Sequence, residues 1–234
     1  MMMKTNIYLV DYRINKDVKN YLENNKIRYI KTIKNENLYE EINGHPDIVA
    51  CNICGYTVIE EQTYNKINIV SENIIIGKNK LTAKYPYDIA YNVISTNRYL
   101  IGKIDFVDEN IKKIAKQNNL EFINVNQGYT KCSTISLPND VFITSDKNIH
   151  DTLISKNLKS YYVYMNDIYL SERYNGFLGG CCSFIDDILI FFGSIEKTES
   201  SRNLKSILKE NNINYININC DKLIDYGSMI KILM

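Results

Sequence analysis

Two histidines, six cysteines and a few acids after tight turns carry the chemistry this sequence offers. Cys132 follows Lys131 in Gln127-Gly-Tyr-Thr-Lys-Cys-Ser133. A thiol reacts as its thiolate, which a neighbouring lysine or histidine favours, so Cys132 is a candidate nucleophile. Cysteine is also among the most buried residue types, and packing in a strand is the alternative for it and for Cys181 and Cys182. His45, in Gly44-His-Pro-Asp-Ile48, is a candidate general base, because imidazole titrates near neutrality. Asp47 and Asp88 each follow a proline-containing turn and are expected to open a strand. They are candidate ligands for a cation, which leaves water only for paired, hydrogen-bonding anions. The competing reading is that each bonds its local backbone. Asp146 either lines the same centre or caps the helix after it. Cys51-Asn-Ile-Cys54 has the spacing of half a zinc site, but no second ligand pair stands at similar spacing, so neither metal nor cofactor is expected.

The elements that must position these residues repeat. An apolar strand, an amphipathic helix and an aromatic-rich strand recur about five times. One copy runs Asn6-Ile-Tyr-Leu-Val-Asp11, a helix over 17–25 and Ile27-Arg-Tyr-Ile30. Others begin at Arg98-Tyr-Leu-Ile-Gly102, Val141-Phe-Ile-Thr-Ser-Asp146 and Ile188-Leu-Ile-Phe-Phe-Gly193. Near-continuous apolar strands predict burial on both faces under helices. Asn25, Asn118 or Asn119, Asn157 and Asn212 predict left-handed helix ends. A Gly- or Asp-led segment precedes each apolar strand, starting at Asp47, Asp88, Gly128, Gly176 and Tyr226, at spacings of 41, 40, 48 and 50 residues. Each unit is therefore strand, strand, helix, strand. The last copy supplies only a first strand and the N-terminal copy lacks one, so the two ends together complete a fifth unit. That predicts a closed five-fold α/β ring over 1–234, with first strands along its axis, rather than a capped open solenoid.

Composition narrows the partners. Net charge is +1, from 28 basic and 27 acidic residues, which gives no electrostatic footprint for nucleic acid or an anionic membrane. No apolar run is long enough to span a bilayer, and Met1–Asn6 does not resemble a secretion signal, so a cytoplasmic protein is expected. Gly176-Phe-Leu-Gly-Gly180 lacks the Lys-Ser/Thr of a phosphate loop and points instead to close backbone approach.

Five such units in a ring, together with Gly44-His-Pro-Asp-Ile48, Lys84-Tyr-Pro-Tyr-Asp-Ile89, Gln127–Ser133, Ile143-Thr-Ser-Asp146 and Gly176–Gly180, resemble a family. It is an uncharacterised bacterial, clostridial-type branch of the guanidino-group-modifying enzyme superfamily, the pentein fold. The resemblance spans essentially the whole chain. It implies a five-fold α/β propeller with a central polar pocket for a guanidino or amino compound, lined here by Asp47, Asp88, Lys131 and Asp146. Catalytic members carry a nucleophilic cysteine in a C-terminal glycine-rich segment and a histidine in the fourth unit. Here the first is Tyr226-Gly-Ser-Met-Ile-Lys231 and the second Gly193-Ser-Ile-Glu-Lys-Thr198, with neither residue. Two expectations stand: a binding protein for a small cation, or a divergent hydrolase or amidinotransferase-like enzyme using Cys132 and His45.

Overall fold

The computed structural model of the chain describes residues 6–233. Their strands form five three-stranded sheets, and each sheet is one repeat. In the second unit, β3 (Ala50–Ile53) pairs antiparallel with β4 (Tyr56–Ile59), and β4 pairs parallel with β5 (Ile74–Ile76) across helix α3 (Glu61–Ile67). The same order recurs in β6 (Ile94–Ser95), β7 (Tyr99–Gly102), α4 (Glu109–Gln117) and β8 (Glu121–Asn124). It recurs again in β9 (Thr134–Leu137), β10 (Val141–Thr144), α5 (Lys147–Ser155) and β11 (Lys159–Tyr162). The next copy is β12 (Cys182–Ile185), β13 (Ile188–Phe191), α6 (Ser201–Glu210) and β14 (Asn214–Asn217). The remaining sheet joins the chain's two ends. Its strand β1 (Ile7–Val10) lies between β15 (Ile230–Ile232), antiparallel, and β2 (Arg28–Lys31), parallel, with α1 (Lys16–Asn24) as the crossover.

Local sequence explains these elements. The central strands β1 and β10 are buried at every position, as apolar runs covered on both faces must be. The helices bury one stripe, Ile111, Ile114 and Ala115 in α4 and Leu204, Ile207 and Leu208 in α6. Caps start them: Asn15, Glu60, Asp108 and Asp146 each accept backbone N–H bonds from the first turn. Asn119, Asn157 and Asn212 are left-handed at the far ends, with φ of 56°, 60° and 55°. Asn25 departs from the expectation. It stays at φ −91° and its side-chain amide donates to Tyr21 O at 2.8 Å, while Lys26 takes the left-handed position.

Asp47 and Asp88 also depart: neither opens a strand. Asp47 sits in a one-turn helix, α2 (Pro46–Val49), where the ring of Pro46 presets the first turn. Asp88 lies in a turn that ends before β6. The Gly176-led segment is likewise a turn, and its strand begins only at Cys182.

One rung ties the five sheets together. Asn52, Ser95, Ser136, Phe184 and Lys231 pair with Thr57, Leu100, Phe142, Leu189 and Tyr8, each the second residue of its unit's central strand. All five rung residues line one cavity of about 320 Å³. No helix among the described residues is long and apolar enough to cross a membrane.

Candidate functional site

The turns that precede the first strands hold the chemistry. Cys132 lies in the turn before β9, and its thiol is 3.2 Å from each carboxylate oxygen of Asp47. Asn92, in the turn before β6, fastens the two together. Its amide nitrogen donates to Asp47 O at 3.1 Å and reaches Cys132 Sγ at 3.0 Å. Its amide oxygen accepts the backbone N–H of Lys131 at 2.8 Å and of Cys132 at 3.2 Å. The Ser228 hydroxyl donates to Asp47 Oδ2 at 3.4 Å, and Asp47 N donates to Gly227 O. All five turns therefore meet in this cluster or against its backbone, because Gly180 N also donates to Cys132 O at 2.9 Å.

His45, at the start of α2, is buried between two acids. Its Nδ1 is 3.8 Å from Asp225 Oδ1 and its Nε2 is 3.9 Å from Asp11 Oδ2. Neither ring nitrogen makes a hydrogen bond within the protein. Asp11 is already matched by Arg13, with Nη2–Oδ2 at 2.6 Å and Nε–Oδ1 at 2.9 Å. Arg13 spends its remaining donors on Glu40 O and Glu41 O. Asp225 accepts Phe177 N at 2.8 Å and Gly227 N at 2.9 Å. Gly227 permits this approach: its φ is +68°, and a Cβ there would stand 2.3 Å from His45 Cβ.

Burial governs the electrostatics. Asp47 is wholly buried, which pushes its carboxyl up to about 7; Asp225 adds to this and the charge of Lys131 opposes it. Burial raises the Cys132 thiol well above its ordinary value, and Asp47 and then Asp225 raise it further. Burial lowers His45 against the pull of Asp225 and Asp11, so the imidazole is neutral at pH 7. Asp47 and Cys132 thus compete for protons in one dry spot, and the thiol rather than the thiolate is the resting form.

A cavity of about 480 Å³ opens over His45, Cys132 and Asp225. The ring of Tyr129 walls it, 5.9 Å from that of Phe177. Exposed Tyr39, Arg173 and Tyr174 surround the mouth. Tyr129 donates to Asp88 Oδ2, so Asp88 steadies the wall from behind. Burial raises the Asp88 carboxyl, with the Tyr129 bond opposing. His45, Asp47 and Cys132 each offer a ligand atom within 4.8 Å of the others, a donor set of the kind that holds zinc.

The structure thus brings His45, Asp47 and Cys132 into contact range and sets Asp88 at one remove. Lys131 departs from the expected pocket: it lines the other cavity, on the rung side, although its charge reaches Asp47. Asp146 caps α5 through Ile149 N at 2.9 Å and accepts from Gln127 at 3.0 Å, away from the cluster. Cys181 is packed, its thiol on Leu178 O at 3.1 Å, and Cys182 lines the rung cavity. Cys51 and Cys54 are free thiols, the first within β3 and the second in the β3–β4 hairpin turn. Sequence reasoning missed Asn92, Asp225 and the Asp11–Arg13 pair. Asp225 stands immediately before the last Gly-led copy, which was the available signal.

Fold and site define a repeated α/β protein with a buried acid–thiol–imidazole pocket. Residues 9–230 match a family model described as a family of unknown function (DUF6873), and the chain belongs to that family. No curated protein matches it.

Proposed function

We propose that the five units close into a pentein-like α/β propeller of the guanidino-group-modifying type, and that it binds a small organic cation, guanidino or amino, over His45 and Asp225. The common rung supports the closure, since five strands from five sheets bound one cavity. One observation carries the binding reading. The buried carboxylates of Asp47 and Asp225 have no lysine or arginine within ion-pair distance among the described residues, and His45 leaves both nitrogens unbonded. Buried carboxylates without a cationic partner are costly to ionise, and a flat cation with several N–H donors repays that cost. The cavity has the volume of a small-molecule site, and the Tyr129 and Phe177 rings suit a delocalised cation. Six free cysteines fit a reducing compartment, the cytoplasm.

Calorimetric titration with arginine, agmatine and guanidinium tests this. At least one should bind saturably, and D47N and D225N should each weaken it at least tenfold. Absence of saturable binding by any of them removes the proposal.

A second reading is favoured by the cavity position of Cys132. A bound cation beside the thiol offsets Asp47 and lowers the thiol toward the reactive thiolate. His45 would accept the thiol proton, sulfur would bond to the guanidino carbon, and the amine would leave with that proton returned to it by His45. A covalent adduct on Cys132, seen by mass spectrometry with release of one amine per site, distinguishes enzyme from binder.

A further inference from the structure

The second cavity, on the rung, is chemically unlike the first. Its wall carries no buried carboxylate. Lys231 projects from the middle of β15, and Lys131 enters from the turn before β9. Neither lysine makes an ion pair among the described residues. Three rung positions add neutral hydrogen-bonding groups: the amide of Asn52 and the hydroxyls of Ser95 and Ser136. None of these rung groups is acidic, and the fifth position, Phe184, closes one side with an apolar ring. Asp186, exposed in the β12–β13 turn, is the one acid lining the space, and it is not within ion-pair distance of either lysine.

We infer that this rung cavity binds a small oxyanion, a carboxylate or phosphate group, between Lys131 and Lys231. Lys231 takes no part in the cation pocket, whereas the charge of Lys131 also reaches Asp47. Two half-buried lysines line one cavity with no carboxylate within ion-pair distance among the described residues, and an anion between them supplies that missing partner. The serine hydroxyls and the asparagine amide present donors around the axis, so several oxygens of one anion can be met from different sheets. About 320 Å³ admits a small oxyanion together with the organic group that carries it.

Calorimetric titration with sodium phosphate and with sodium acetate, at ionic strength held constant with chloride, tests the site. Saturable one-to-one binding of at least one anion is expected. Phosphate alone assigns a phosphate ester, acetate alone a carboxylate, and both a general oxyanion site. Lys131→Met and Lys231→Met should each weaken binding at least tenfold, Lys231→Arg should retain it, and Lys205→Met on the surface should leave it unchanged. Ser136→Asp, which puts a carboxylate on the rung, should abolish it, and serves if a methionine variant fails to fold. Lys231→Met should leave organic-cation binding unchanged, so loss of one site is distinguishable from loss of the other. No saturable heat with either anion, or unchanged affinity in both methionine variants, overturns the inference.

Discussion

The Cys132 thiol faces both oxygens of the Asp47 carboxylate at equal distance, 3.2 Å, in a spot with no water-exposed surface to speak of. The pair is a store of unfavourable charge. Folded Asp47 keeps its proton up to about pH 7, whereas an unfolded aspartate loses it near pH ~4. Between those values the folded state binds more protons, so stability from this group falls as pH rises. Asp47→Asn should therefore fold more stably than the native chain at pH 8, by on the order of 2 kcal/mol or more, since one pKa unit is worth about 1.4 kcal/mol. At pH 4 the two should be close. Urea unfolding at both pH values checks this; equal pH dependence in the two proteins would show that Asp47 ionises normally.

Thiol reactivity should follow the same logic. Cys220 is exposed, whereas burial and Asp47 hold Cys132 as the thiol. In the ligand-free protein at pH 7.5, iodoacetamide should label Cys220 first and Cys132 at least tenfold more slowly. A guanidino ligand should speed Cys132 selectively if it supplies the missing positive charge. Peptide mapping over time reads both rates. Labelling of Cys132 as fast as Cys220 without ligand would contradict a raised thiol.

The parts of the fold that run on periodicity were readable in the residues. Tyr8-Leu-Val and Val141-Phe-Ile announce strands because helices cover both faces, and Ile111, Ile114 and Ala115 announce a helix stripe. The first strands are quieter. Asn52, Ser95, Ser136 and Lys231 line a cavity instead of a core, so they interrupt the continuous apolar run that marks the central strands. The 77–93 segment has no period either. Asp108 holds it by accepting Lys78 N at 2.6 Å and Asn79 N at 2.7 Å, and the Tyr91 hydroxyl donates to Asn79 O at 2.8 Å. Of the site, His45, Asp47 and Cys132 were visible as residue types after tight turns. Asp225 and Asn92 were not, because their importance lies in contacts with residues far along the chain.

Asn92 is the tie that keeps Asp47 and Cys132 together, and all of its side-chain capacity is used on buried partners. Asn92→Ala leaves two backbone N–H groups and one carbonyl without that partner. Each such group costs about 1–3 kcal/mol when buried, so a loss of roughly 3 kcal/mol is expected. The cation affinity should fall with it, because Cys132 and Asp47 lose their common brace. Denaturant midpoints and titration with arginine, agmatine and guanidinium measure both. A variant with native stability would mean that water or a neighbouring side chain replaces the amide at no cost.

Gly180 joins the halves of the pocket. Its N–H donates to Cys132 O at 2.9 Å, while its carbonyl accepts Ser228 N at 2.9 Å and Tyr226 N at 3.2 Å, on either side of Gly227. A Cβ at this position would stand 2.0 Å from Asp225 Oδ1 and 2.6 Å from its Cγ. Asp225 cannot yield cheaply, because its two oxygens hold Gly227 N and Phe177 N. Gly180→Ala should therefore push Asp225 away from His45 and cost more than about 2 kcal/mol, as overpacking of a tight interior does. Gly55→Ala is the comparison. Nothing lies within 4 Å of its Cβ, but its φ is +84°, so it should cost only about 1 kcal/mol of backbone strain. Organic-cation binding should drop in Gly180→Ala and persist in Gly55→Ala. If the two alanine variants are equally stable and bind equally, the close approach of Gly180 to Asp225 does not shape the pocket.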